Sequence, residues 1–327
     1  MDLQQELTAR FFRYLAISSQ SRAAEKQVPS SEGQWQLARL LAEELIFLGL
    51  QDVAIDEHAN VTALLKGAVE NATPIGFVAH LDTVDVALSP YISPQIKTFD
   101  GADILLNEKE NIWLKVAEHP EILPYLHQDI IFSDGTSVLG ADNKAAIANI
   151  MTALSLIKTQ HIPTGDVYIA FVPDEEIGLR GAKLLDLTRF KPDFAYTIDC
   201  CELGEVVYEN FNAAAATVTI QGVTAHPMSA KGVLLNPILV AQDLIALFDR
   251  EQRRNAPNIS RVIGGLTALR RITVKQLYKL PFVILTKPPL NNAKSLSNRQ
   301  YTRFSSVIRA PVWNVALPIF TVILPTP

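Results

Sequence analysis

The chain has 327 residues, a formal net charge of −5 and two cysteines, Cys200 and Cys201, side by side. That length can bury one large core or two ordinary ones, and so mild a charge gives no pointer to nucleic acid. Adjacent cysteines make a disulfide framework implausible and suit a reducing cytoplasm. No basic-then-apolar leader and no apolar run of roughly 18 residues is found, so neither secretion nor a membrane span is predicted.

In chain order, apolar residues at helical spacing predict a helix over Gln4 to Ala16 and a second over Gln34 to Leu48, closed by Gly49. Val53 to Ile55 and Val61 to Leu65 read as a strand pair. Ile75 to Ala79 is continuously apolar, as a strand covered on both faces would be. Asp85 to Ile131 reads as a long polar insertion of weak periodicity, placed to form the rim of a site. Ala145 to Ile157 is a helical pattern with Asp142 just ahead of it, and Val167 to Val172 and Phe194 to Ile198 are further apolar runs. Ala215 to Ile220 alternates like a strand and Pro237 to Phe248 is an amphipathic helix, which together predict a second, smaller domain.

Several apolar runs end on chemistry. Ile75–Ala79 leads into His80-Leu-Asp82, Val167–Val172 into Asp174-Glu175-Glu176, and Phe194–Ile198 into Asp199. Open α/β sheets bind ligands beyond the carboxyl ends of their strands, and imidazole with carboxylates there suits a hydrolytic Zn²⁺ site. His80 and Asp82 face one side of an extended backbone, so one can ligate while the other orients the imidazole. Asp142 has oxygens enough to bridge two metals. Of the consecutive Glu175 and Glu176, one can ligate and the other act as general base. Each piece also has a plainer reading: a hydrogen-bonded loop pair for His80 and Asp82, a helix cap for Asp142, a solvated acidic turn for 174–176, a turn histidine for His226. The plain readings weaken when all the pieces fall in order on one sheet.

Taken together, Val78-Ala-His-Leu-Asp82, Gly140-Ala-Asp-Asn-Lys144, Pro173-Asp-Glu-Glu-Ile-Gly178 and Tyr196-Thr-Ile-Asp199 resemble the M20 metallopeptidases, and within them the tripeptide aminopeptidases. Phe11–Leu15, Val28–Trp35, Ser133–Thr136 and His226–Gly232 carry the same likeness, which covers roughly residues 1–251. The resemblance implies a mixed, mainly parallel sheet flanked by helices (residues 1–210) with a smaller inserted α/β lid and dimerisation domain beginning at 211–251. It implies two Zn²⁺ per subunit: His80, Asp142 and Asp199 on the first, Asp142 bridging, and Glu176 on the second. Glu175 matches the general base, Asp82 the supporting carboxylate, and His226 a lid histidine acting on a neighbouring subunit's substrate. The implied reaction is attack of metal-bound hydroxide on the first peptide bond of a tripeptide. The implied partners are small peptides and, with a complete lid, a second copy of the chain. Cys200 and Cys201 stand where the family has glycines beside the Asp ligand, and Ala146 where Gly is common.

The likeness stops near residue 251. Residues 1–251 carry all 34 acidic side chains and 17 of the 29 basic ones, whereas residues 252–327 carry 12 basic side chains, no Asp, no Glu and no His. The family's last zinc ligand, a C-terminal histidine, therefore has no counterpart. Codons permitted for Ala256–Gly265, read one base out of phase, can spell PEHIEGYRG, and those for Tyr278–Lys287 can spell QAAVRDFDK in the same frame. Both strings resemble the family's continuation, in the family's order. We read residues 252–327 as a frameshift-derived tail without compact order, and expect a lid that is incomplete, a weakened second metal site and impaired activity. The alternatives are another M20-type hydrolase (a dipeptidase, acylamino-acid deacylase or amidohydrolase) or a non-catalytic remnant. The tail lacks the clustered, aromatic-interleaved basic residues that would argue for nucleic acid, and Pro318 interrupts its apolar stretch from Val312 to Leu324.

Overall fold

The computed structural model describes residues 3–199, 212–246, 263–266, 270–272 and 277–286. The chain divides into two compact units, Met1–Leu203 and Gly204–Pro327.

In the first unit, α1 (Leu3–Leu15) and α2 (Glu32–Phe47) precede β1 (Gln51–Ile55), β2 (Val61–Leu65) and β3 (Ile75–His80). The stretch read as a weakly periodic insertion holds four short strands: β4 (Pro94–Thr98), β5 (Ile104–Asn107), β6 (Ile112–Leu114) and β7 (Asp129–Ser133). They form two antiparallel ribbons, β4 with β7 and β5 with β6, beside a small core of Phe99, Ile104 and Ile122. Strands of three to five residues are too brief for their alternation to stand out in sequence. Then follow α3 (Ala141–Thr159), β8 (Val167–Val172) and β9 (Phe194–Thr197).

The main sheet has the order β1-β2-β8-β3-β9 and is mixed. β1, β2 and β8 are antiparallel neighbours, whereas β3 runs parallel to both β8 and β9. Its core explains why the helices form where they do. In α2, Gln34, Leu37, Ala38, Leu41, Ala42 and Leu45 recur three and four residues apart and are buried together. Its apolar members join Phe11, Tyr14 and Leu15 of α1, Ile147, Met151 and Leu154 of α3, and Val61, Ile169 and Phe171 of the sheet in one cluster.

Register positions the chemistry. His80 pairs with Val172, so the residues after β8 emerge level with those after β3. Val78 pairs with Thr197, which puts Asp199, two residues on, level with His80. Three separate segments therefore deliver acidic or imidazole side chains to one end of the parallel strands.

The second unit contains β10 (Asn212–Gln221), α4 (Pro237–Ala246), β11 (Ile263–Leu266), β12 (Arg270–Ile272) and β13 (Leu277–Thr286). β13 pairs antiparallel with β10 over its whole length, and with β11 and β12. Ile220, Val240 and Ala241 form a small buried cluster. β11, β12 and β13 fall inside the region read as a tail without compact order; the rest of residues 252–327, and Cys200 and Cys201, lie outside the described residues. No helix of the described residues is long and apolar enough to cross a membrane.

Candidate metal centre

His80 is the hub. It ends β3, its side chain is 2% exposed, and its two ring nitrogens face different carboxylates. Nε2 lies 2.8 Å from Asp142 Oδ1 and Nδ1 3.2 Å from Asp82 Oδ1, with Glu175 Oε2 at 4.0 Å from Nε2. Asp82 is fully buried and works in two directions. Besides the imidazole, it accepts the backbone N–H of Glu175 at 2.9 Å and that of Glu176 at 3.2 Å. A single carboxylate thus ties the loop after β3 to the loop after β8.

Asp142 does not continue a helix. It and Asn143 have non-helical backbone (φ −79°, ψ 103° and φ −121°, ψ 18°) within the first turn of α3. Its Oδ1 meets His80, and its side chain is 65% exposed. The neighbouring Asn143 is buried and links three segments. Its Oδ1 accepts the His80 backbone N–H at 3.2 Å, and its Nδ2 donates to Ile198 O at 2.7 Å and to Asp199 Oδ1 at 3.3 Å.

Two groups of potential ligands result. Ligand atoms of His80, Asp142 and Asp199 lie within 4.8 Å of one another, and so do those of His80, Glu175 and Glu176. His80 is common to both groups, and Asp142 is a member of the first. Among the described residues His80 is the basic side chain within ion-pair distance of these carboxylates, so negative charge is in surplus. Burial lowers the His80 imidazole, but its bonds to Asp142 and Asp82 and the charge of Glu175 outweigh this and hold it up at about 10. The His80 bond keeps Asp142 below the usual carboxylate range. Burial, then repulsion from Asp142, pushes Glu176 up to about 7 and raises Asp199 as well. Glu175 is raised by burial, with the nearby acidic groups adding to it. One buried imidazole amid crowded carboxylates that resist ionisation together is a donor set suited to a divalent cation of borderline or hard character.

Of the plainer readings, the acidic turn fails at its first residue. Asp174 is fully buried, its backbone in the left-handed region at φ 55°. Its carboxylate accepts Ser30 N at 2.8 Å, Ser30 Oγ, and Gln34 Nε2 at 2.8 Å, while its own N–H donates to Gln34 Oε1 at 2.9 Å. Sequence reasoning gave no role to Ser30, Gln34, Asn143 or Lys144, although all four lie in the runs that carry the family likeness. Lys144 is wholly buried, with Nζ donating to Ile17 O at 2.6 Å, and burial pulls its ammonium down to about 7. His226 belongs to the second unit and is exposed; its Nδ1 accepts the backbone N–H of Met228 at the start of a short 3-10 turn.

Comparison with known proteins bears on this arrangement. A family profile described as M42 glutamyl aminopeptidase matches residues 126–235, and one described as peptidase dimerisation domain matches residues 208–279. A peptidase T-like protein of Rhizobium meliloti is 60% identical over 252 residues, which are 77% of this chain and 62% of that protein. Peptidase T of Bacillus subtilis is 44% identical over 253 residues, 76% of this chain and 62% of that one. The chain thus spans about three fifths of the length of these curated relatives. Among solved structures, a tripeptidase from Staphylococcus aureus shares the fold with a TM-score of 0.70 at 22% identity, over 97% of this chain and 75% of that one.

Proposed function

We propose that the chain, 60% identical over 77% of its length to a peptidase T-like protein, belongs to the peptidase T branch of the M20 metallopeptidases and that its site is that of a zinc-dependent aminopeptidase removing the N-terminal residue from tripeptides. The observation that carries this reading is the convergence of His80, Asp142, Asp199, Glu175 and Glu176 at one end of the parallel strands, within ligand distance in two overlapping groups. His80, Asp142 and Asp199 would hold one Zn²⁺; Glu176, together with Asp142, would hold a second. Bound there, such cations polarise a scissile carbonyl and lower the pKa of water.

The chain's own residues supply the rest. Glu175 is half-buried and its carboxyl is raised, which suits a base that takes a proton from the attacking water and returns it to the leaving amine. Asp82 holds the His80 imidazole and the Glu175 and Glu176 backbone in a fixed relation, so the base and the ligands are set before substrate arrives. His226 of the second unit is the residue we assign to substrate, through a dimer of the kind that a peptidase dimerisation domain forms. The setting is cytoplasmic, with peptide catabolism as the role.

The second metal is the weak point. Residues 227–327 hold no histidine, and among the described residues the donors near that position are carboxylates and His80. We assign the chain a domain order of a catalytic domain (1–210), the start of a lid (211–251) and a frameshift-derived segment (252–327), and with it reduced second-site occupancy and reduced turnover. Zinc per chain by atomic absorption, together with release of the N-terminal residue from a panel of di-, tri- and acylated peptides with and without chelator, tests this. Tripeptide cleavage that is slow and chelator-sensitive is the expected result. Preferential cleavage of acylated amino acids would move the assignment to another M20-type hydrolase, and two tightly held zincs with fast turnover would remove the proposed impairment.

A further inference from the structure

The acidic pair Glu175-Glu176 lies between two clamps, and the mechanism above uses one of them. Asp82 holds the two backbone N–H groups from the β3 side. From the opposite side, Asp174 is held by the segment that enters α2. Gln34 grips it at two points, donating from Nε2 to the carboxylate and accepting the Asp174 N–H at Oε1. Ser30 adds its backbone N–H and its hydroxyl, and its Oγ in turn accepts the Arg22 N–H at 2.9 Å. The loop then curls back, Arg180 N–H donating to Asp174 O and Gly181 N–H to Pro173 O, both at 3.0 Å.

This is costly architecture for a turn. Asp174 and Gln34 are fully buried and Ser30 is 2% exposed, and among the described residues no ion pair is made to the Asp174 carboxylate. A buried carboxylate costs several kcal/mol unless its lone pairs are met by hydrogen bonds. Here three donors from α2 and its approach meet them, across a sequence separation of 140 residues or more. Asp174 also holds a left-handed backbone, so the direction in which Glu175 and Glu176 leave depends on this anchor.

We infer that Gln34 and Ser30 are positioning residues of the metal centre, fixing Glu175 and Glu176 through Asp174 so that Glu176 presents its oxygens to a cation and Glu175 keeps its place beside it. The inference rests on the proposed reading of Glu176 as a cation donor and Glu175 as the base. Outer partners of this kind are worth about 10–100-fold in metal affinity elsewhere.

Co²⁺ titration of the full chain, read by visible absorption, tests it without recourse to turnover. Glu176→Gln and Asp199→Asn serve as references that mark the signature of each ligand group. Gln34→Met, which keeps the shape but removes both bonds, is expected to lower Co²⁺ affinity about tenfold and to change the spectrum as Glu176→Gln does. Ser30→Ala, milder because the backbone N–H remains, is expected to shift affinity in the same direction, and it carries the test if Gln34→Met does not fold. A lowered unfolding midpoint with unchanged Co²⁺ affinity and spectrum would make the clamp merely structural and overturn the inference. So would a change that copies Asp199→Asn. Absence of saturable Co²⁺ binding in the unsubstituted chain would instead overturn the proposed function itself.

Discussion

At the residue scale, the informative fact is how strongly His80 depends on what surrounds it. Its imidazole carries a proton up to about pH 10, held there by Asp142, Asp82 and Glu175 against the pull of burial. An imidazolium cannot ligate, so a cation must displace that proton. Because the pKa is raised, the competition is strongest at low pH and fades as pH climbs toward 10. Uptake of Zn²⁺ at pH 8 should release about one proton from His80, and affinity should rise roughly tenfold per pH unit until about pH 10. Near and below pH 7, Glu176 is partly protonated too and should add to the count. Calorimetry in two buffers of different ionisation enthalpy measures both numbers; a proton count near zero at pH 8 would contradict the raised imidazole. Glu175 makes a separate prediction. Glu175→Gln should cut peptide turnover by about 10²–10⁴-fold while metal content stays close to that of the parent chain, since His80, Asp142, Asp199 and Glu176 remain. Loss of metal in step with activity would mark Glu175 as a ligand first.

At the scale of elements, the site depends on close approach as much as on ligands. Gly33 opens α2, and a Cβ there would lie 1.6 Å from Ser18 O, a backbone atom that cannot swing aside. Gly33→Ala should therefore cost at least about 3 kcal/mol and, by pushing α2 from its place, disturb the Ser30 and Gln34 contacts to Asp174. Chemical denaturation gives the first quantity and Co²⁺ binding the second. A stability change under about 0.5 kcal/mol would mean that the 18–19 segment yields more readily than its packing implies. The strands beneath the site explain why so few contacts suffice. β3 lies between β8 and β9 in parallel, and one register brings the ends of all three level, so Asp82, Asn143 and Asp174 need only adjust loops that already meet.

At the scale of the molecule, composition breaks sharply at residue 251, while a dimerisation-domain profile still matches as far as residue 279. The likeness to the curated relatives covers about three fifths of their length, and acidic residues vanish after Glu251. A sequence shaped by selection for a folded lid has no reason to exclude every Asp and Glu over 76 consecutive positions, residues 252–327. We propose out-of-phase reading as the origin of this run. We expect the genomic sequence across codons 252–256 to show a single-base displacement from the relatives' frame. A chain rebuilt in the other frame should bind its second zinc more tightly and cleave tripeptides faster than the present one. An uninterrupted frame whose codons do not spell the relatives' continuation would dispose of this explanation.

The split between what could be read in sequence and what could not follows from the range of the interactions. The identity of the donors was legible: His80, Asp142, Glu175, Glu176 and Asp199 each sit at the end of an apolar run or at the start of a helical one, and periodicity reports such boundaries. So were α1, α2 and the strands that carry the site, to within about two residues. The four strands between Asp85 and Ile131 were not, because segments of three to five residues leave no resolvable period. Nor could sequence tell that Asp174 is buried while its neighbours are not, that Asp142 departs from helical backbone, or that Asn143 spans to residue 199. Those facts are decided by how helices and loops pack on the sheet, which sets residues 30 and 34 against 174 and residue 80 against 142. A chain read one residue at a time carries the chemistry of its side chains, whereas the distances that make five of them a single site exist only once the sheet has formed.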